Sequence, residues 1–230
     1  MDATTHPDKR PEAQAAHAHL LKADPRLAVL VARHGPLDPY DWPGIPVADG
    51  DLLGGLVLHI VSQQISTRVA LVLYDRLKTL LGSHIDATGL AAAGEQQLRA
   101  AGLPYAKARA LRGLGERIES GALDLHELRQ LDDDAAQTTL MELRGIGPWS
   151  SQMFLLHELR RPDVFAAGDV ALRAAIARLD ELPQAPGIRE AAARAEVWRP
   201  FRSYASAHLW AVIEGRRPPP PRAHPVDHRR

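Results

Sequence analysis

The stretch Leu143-Arg144-Gly145-Ile146-Gly147-Pro148-Trp149-Ser150-Ser151 restricts the fold more than any other part of this chain. Apolar spacing predicts one helix ending at Leu143 and another starting near Trp149, with two glycines flanking a single aliphatic residue between them. Glycine permits positive φ and lets another backbone approach closely. Ile146 can then plug the crevice between the two helices and fix their angle. Such a turn aims several backbone N–H groups outward from a helix N-terminus, where the dipole is positive. That makes a phosphate site without any lysine. A plain αα-turn with a glycine cap explains the same letters if nothing around them adds to the case.

The surrounding sequence is helical in pattern. Ala, Leu and Arg dominate and aromatic residues make up only 5%, a mix that favours helix over strand. A first helix fits Glu12–Lys22, Asp24-Pro25 opens a second, Asp as N-cap and Pro at the first position, and the proline-rich 36–50 forms a loop. Leu52, Leu53, Leu56, Val57, Ile60 and Val61 recur at helical spacing until Ser62-Gln63-Gln64 interrupts them. Ser66 or Thr67 caps the next helix, which Gly82 ends. Short helices fit 95–101, 105–119 and 124–129, with Gly102, Gly113, Gly115 and Gly121 as punctuation. Further helices fit Asp132–Leu143, Ser150–Leu159, the segment after Asp169, and 188–198 and 201–214, the last two parted by Pro200. No strand pattern or internal repeat is present. The expected fold is all-α, two helical lobes with a cleft between them. The expected organisation is a flexible N-terminus over 1–16, the helical domain over 17–215 and a flexible Pro/Arg-rich tail over 216–230.

Lys plus Arg and Asp plus Glu both total 28, so the net charge is zero. This counts against a chain that holds a polyanion by bulk electrostatics, while leaving room for a local basic face. Arg99, Lys107, Arg109, Arg112 and Arg117 surround one acid, Glu116, but a solvated helix face is the simpler reading of them. The absence of cysteine excludes disulfides, thiolate zinc and a cysteine-ligated iron–sulfur cluster. His59, His157 and His208 lack metal spacing and fit helix interfaces or surface. No apolar run is long enough to span a membrane and the start is polar, so a cytoplasmic protein is expected.

Asp169 stands where the helix after Val164-Phe165-Ala166-Ala167-Gly168 begins. An N-cap is the commonest task of an Asp in that position. The same placement suits catalysis, because N–H donors at a helix start favour an ionised carboxylate. Such a carboxylate can stabilise a sugar that gains oxocarbenium character, or orient a water toward its anomeric carbon. Asp163, after Arg160-Arg161-Pro162, fits a surface turn better.

The hairpin followed by Gly168-Asp169 resembles the helix-hairpin-helix superfamily of base-excision DNA glycosylases. The resemblance extends from about residue 18 through His19-Leu20-Leu21-Lys22-Ala23-Asp24-Pro25, Ile60-Val61-Ser62-Gln63-Gln64-Ile65-Ser66, Gly102-Leu103-Pro104-Tyr105-Ala106-Lys107 and the closing Trp198-Arg199-Pro200-Phe201…His208-Leu209-Trp210. It is similar to the DNA-3-methyladenine glycosylase II branch. The resemblance implies a hydrolase that flips alkylated bases of the 3-methyladenine and 7-methylguanine type out of duplex DNA and cuts their N-glycosidic bond, with Asp169 catalytic. Bifunctional members carry a Schiff-base lysine two residues after the second hairpin glycine. Trp149 occupies that position here, which implies no lyase activity.

The resemblance further implies a base pocket of Trp149, Met153, Val170 and Phe201, since a cationic base favours aromatic faces. Met153 and Val170 stand where well-known relatives have tyrosines, so a wider, less aromatic pocket is expected. Gln63, Gln64 and Ile65 would form the DNA wedge, with Gln64 at its tip. Gly145, Ile146, Gly147, Trp149 and Ser150 would hold phosphates, and carbonyls of Met141, Leu143 and Ile146 could place a Na+ or K+ against one of them. No other cofactor is implied, the partner is double-stranded DNA, and a monomer is expected. Two other readings stay open: a non-catalytic helix-hairpin-helix DNA-binding module, which has no need of Asp169, and a glycosylase for deaminated or oxidised bases.

Overall fold

The computed structural model describes residues 10–40, 47–48 and 50–214. Among the described residues twelve α-helices follow one another and no strand occurs. They are α1 (Arg10–Ala23), α2 (Pro25–His34), α3 (Leu52–Ser62), α4 (Thr67–Leu80), α5 (Ala87–Ala92), α6 (Glu95–Ala100), α7 (Tyr105–Glu119), α8 (Asp133–Met141), α9 (Pro148–His157), α10 (Val170–Leu179), α11 (Ile188–Ala195) and α12 (Arg202–Glu214). Short polar residues start many of them. Asp24, Asp51, Ser66, Asp86, Asp132 and Asp169 each accept an amide of the first turn of the helix they precede, as N-capping requires.

Two apolar cores define two lobes. In the first, Leu56, Ile60, Leu77, Leu90, Leu111 and Leu140 bring α3 to α8 together. In the second, Leu20, Leu27, Leu172, Ile176, Trp198 and Leu209 join α1 and α2 to α10, α12 and the turn before it. Both ends of the described chain thus meet in one lobe. Helix α9 serves both: Phe154, Leu155 and Leu156 enter the first core and Met153 the second. Trp210 on α12 packs against both.

Several sequence expectations change. Helix α1 starts at Arg10, two residues before the expected Glu12, so residues 10–16 are ordered rather than flexible, and Ala16 is fully buried there. A small residue seals that contact, so no stripe of large apolar residues announces it. Residues 1–9 and the tail 216–230 lie outside the described residues. The segment 124–129 forms a 3-10 turn over Glu127–Gln130 rather than a helix. Helix α5 was not expected, and Gly115 explains its place. A Cβ on Gly115 would lie 2.6 Å from the Ala91 nitrogen and 2.7 Å from the Ala87 carbonyl oxygen. Gly115 therefore sits inside α7 as a contact between two helix backbones, not as punctuation.

Candidate active site

The hairpin joins α8 to α9. Gly145 has φ +81°, and a Cβ there would come within 2.9 Å of the Ala110 Cβ on α7. Both the left-handed backbone and the close approach select glycine. Ile146 is 6% exposed in the first core, plugged between the helices as its position suggested. Gly147 is the N-cap of α9 and offers no side-chain cap, and Pro148 follows at N1. The first helical bond runs from the Ser151 amide to the Gly147 carbonyl. The amides of Trp149 and Ser150 thus lie in the first turn of an uncapped helix start, where an anion can take them. The Ile146 amide bonds the Leu143 carbonyl at 3.1 Å within the turn.

The loop after α3 lies against this hairpin. Gln63 donates its Nε2 to the Gly145 carbonyl at 2.8 Å and to the Ser150 hydroxyl at 2.8 Å. Its amide end therefore faces the hairpin. Gln64, at φ +58°, and Ile65 are the exposed residues of the three. Lys107 was grouped with the basic stretch in the sequence, yet its Nζ donates to the Val61 and Gln63 carbonyls at 2.7 and 2.8 Å. Burial pushes this ammonium's pKa down. Most of that stretch is paired: Arg109 with Glu95, Arg112 with Glu116 and Arg117 with Glu142. The solvated-face reading fits it.

Asp169 stands where the lobes meet. Its Oδ1 accepts the Leu172 amide at 2.8 Å, the capping bond of α10, and the Trp210 indole N–H at 3.4 Å. Its Oδ2 accepts the Trp149 indole N–H at 2.9 Å. One donor comes from the carboxylate's own helix, one from α9 and one from α12. An ionised carboxylate has about four acceptor positions, so this arrangement fixes its orientation and leaves acceptor capacity on Oδ2. No Lys or Arg pairs with Asp169 among the described residues. The carboxylate is half-buried and the next residue, Val170, is 72% exposed, so the site opens outward.

The expected pocket residues are unevenly placed. Trp149 is half-buried beside Asp169, while Met153 is buried in the second core. Phe201 is half-buried, edge-on to His19 and Tyr204 with ring centroids 5.5 and 5.8 Å away. Trp210 was missed as a site residue. Its signal was present in the sequence, since a largely buried indole N–H requires an acceptor.

The other acidic and histidine candidates are structural. Asp163 binds Arg199 at 2.8 Å and Arg202 at 2.8 Å, closing α12 onto the preceding loop. His59, His157 and Trp210 form a stacked series with centroids 5.8 and 5.9 Å apart. Burial, and then the neighbouring His59, hold His157 well below the usual histidine range. No group of three or more histidine, aspartate or glutamate residues able to hold a metal occurs among the described residues.

The profile for the HhH-GPD superfamily base excision DNA repair proteins matches residues 57–200, more than half of the chain, and the chain belongs to that superfamily. YfjP of Bacillus subtilis is 31% identical over 175 residues, 73% of this chain and 61% of that protein. DNA-3-methyladenine glycosylase 2 of Escherichia coli is 32% identical over 174 residues, 70% of this chain and 57% of that protein. The chain spans about three fifths of the length of these two curated relatives. Among solved structures, the Schizosaccharomyces pombe 3-methyladenine DNA glycosylase Mag1 in complex with abasic DNA superposes with a TM-score of 0.76 and 25% identity. That match covers 87% of this chain and 97% of Mag1.

Proposed function

We propose that this chain is a monofunctional DNA glycosylase that removes alkylated bases, of the 3-methyladenine and 7-methylguanine type, from duplex DNA. The observation that carries the reading is Asp169, an N-cap carboxylate oriented by two indoles and lacking a cationic partner. The names of its relatives support it, as does the likeness to Mag1 bound to abasic DNA.

The anomeric carbon is out of reach inside a duplex, so the nucleotide must be extruded. In this reading the uncapped start of α9 receives phosphates beside the lesion, and Gln64-Ile65 enters the space the nucleotide leaves. An alkylated base is cationic and departs with little acid assistance. What remains is charge on the sugar as the glycosidic bond breaks. Asp169 supplies the opposite charge and, through its open acceptor position, can hold the water that attacks. At about 4 Å and an effective dielectric near 20, one such charge contributes on the order of 4 kcal/mol. That corresponds to roughly a thousandfold in rate. Trp149 and Trp210 hold the carboxylate and offer aromatic faces to the base. With Met153 in the core, the base meets fewer aromatic surfaces than a tyrosine-lined pocket would present.

With Trp149 in the position where a lysine would form a Schiff base, water alone displaces the base, and the sugar stays in the strand as an abasic site. The carbonyls of Met141, Leu143 and Ile146, around the hairpin, would hold an alkali cation, which would supply positive charge beside a DNA phosphate. Leu143 already accepts one amide there and keeps a second lone pair. We further propose that the protein acts as a monomer at the nucleoid. The test is product analysis on duplexes carrying alkylated, deaminated or oxidised bases, with borohydride trapping. The expected result is release of alkylated bases and no trapped protein–DNA adduct. Release of only oxidised or deaminated bases, or a trapped adduct, contradicts the reading.

A further inference from the structure

The wedge loop and the hairpin are joined in a way that the glycosylase reading does not use. Helix α3 ends at Ser62, and the carbonyls of Val61 in its last turn and of Gln63, its C-cap, face the first turn of α7. The Lys107 ammonium holds both of them, at 2.7 and 2.8 Å. A cation at a helix C-terminus is favourable both as a donor and against the dipole. Three residues further along the same face of α7, Ala110 lies so close to Gly145 that a Cβ on Gly145 would come within 2.9 Å of the Ala110 Cβ. The Gln63 carboxamide closes the triangle by donating to the Gly145 carbonyl and the Ser150 hydroxyl, both at 2.8 Å. One face of α7 thus sets the place of the loop and of the hairpin, and one side chain ties the two directly. Between these anchors Gln64 holds φ +58°, a backbone state that a residue with a side chain keeps only when its surroundings impose it.

The geometry points to Gln63 and Lys107 as positioning residues that hold the Gln64-Ile65 tip at a fixed distance from the uncapped start of α9. Neither need touch DNA. Their effect is to make phosphate capture at the hairpin and entry of the tip a single event, because the tip cannot retreat while the hairpin is engaged. A loop released from either anchor would still carry Gln64 and Ile65 but would sample several positions, and insertion would cost the entropy of fixing it. The inference rests on the proposed function only in taking Gln64-Ile65 as the part that enters the duplex.

The test needs no bond cleavage. A duplex with a tetrahydrofuran abasic site and a neighbouring 2-aminopurine reports insertion as a fluorescence rise. The proteins are wild type, Gln63→Met, Lys107→Met, Lys107→Arg and, as a stability control, the core variant Leu90→Ala. All are measured below their melting temperatures at saturating protein. The ratio of inserted to uninserted complex is expected to fall about tenfold in Gln63→Met and Lys107→Met, the equivalent of one lost hydrogen bond to a charged or buried group. Lys107→Arg is expected to recover part of it, and Leu90→Ala to keep the full rise at a lower melting temperature. Wild-type fluorescence in both Met variants overturns the proposal, whether or not any base is excised. An equal loss in Leu90→Ala also overturns it, since general loosening would then suffice. Failure of the wild type to release any alkylated base while these differences persist would sink the glycosylase reading and leave the coupling intact.

Discussion

Asp24 and Asp169 are built alike and placed in opposite surroundings. Each is the N-cap of a helix, and each accepts a tryptophan indole N–H, from Trp198 at 2.8 Å for Asp24 and from Trp149 at 2.9 Å for Asp169. Asp24 is 4% exposed and paired with Arg194 at 2.6 Å, which Asp180 also holds at 2.7 Å. Burial alone would raise the Asp24 pKa, but the bonds from Trp198, Arg194 and Leu27 outweigh it and leave the carboxyl below its usual value. Asp169 has the cap and the indoles but no guanidinium, and it faces outward. The comparison teaches that capping and indole donors fix a carboxylate, and that the presence or absence of a cation decides its use. Asp24 is neutralised and locks the second lobe. In the proposed function, Asp169 instead faces a charge that appears only as a glycosidic bond breaks.

The strongest break of this pairing is Asp169→Asn. Asparagine caps as well as aspartate, so melting should move by no more than a degree or two while single-turnover base release falls roughly a thousandfold. The mirror experiment is Arg194→Met, which leaves Asp24 buried without its cation. It should destabilise the fold by about 3 kcal/mol, read as a melting shift of roughly 6–12 °C, with the release rate per folded molecule unchanged. Trp149→Phe keeps an aromatic face and removes one donor to Asp169. It should slow the chemical step about tenfold in single-turnover kinetics with saturating enzyme.

The smallest effect concerns acid stability. Burial first, then His34 and His17, push His208 down to about 3, against an unfolded value near 6.5. In that interval the unfolded chain binds the extra proton. The contribution is therefore complete above about pH 6.5 and is lost as the pH falls toward the folded value, at up to about 1.4 kcal/mol per pH unit. Melting curves between pH 7.5 and 5 should show this slope, and His208→Leu should flatten it by one proton, whatever it does to stability at neutral pH.

The features legible in the sequence were those written into neighbouring residues. Asp169, Asp24 and Ser66 declare themselves as caps because the acceptor and its amide lie two or three residues apart. The Gly145-Ile146-Gly147-Pro148 turn is legible because only glycine fits its backbone and only an aliphatic residue fits the crevice. What escaped depends on contacts across the fold. Trp210 reaches Asp169 over 41 positions, Gln63 reaches Gly145 over 82, and Lys107 reaches Gln63 over 44. A lysine in a basic stretch and a glutamine in a polar break look the same whether they meet solvent or a carbonyl. The Ala16 contact and the Gly115 approach of α5 to α7 were hidden for a related reason: small residues pack tightly without leaving an apolar stripe.

Asp169 as a cap whose charge does the chemistry is the heart of the proposed function. It is tested most directly by timing 7-methylguanine release from methylated duplex by saturating wild type and Asp169→Asn, with abasic-duplex affinity and melting measured on the same preparations. Matching melting and binding are expected, with release by the variant lower by about three orders of magnitude. Release within a few-fold of wild type by a folded, DNA-binding Asp169→Asn would contradict it.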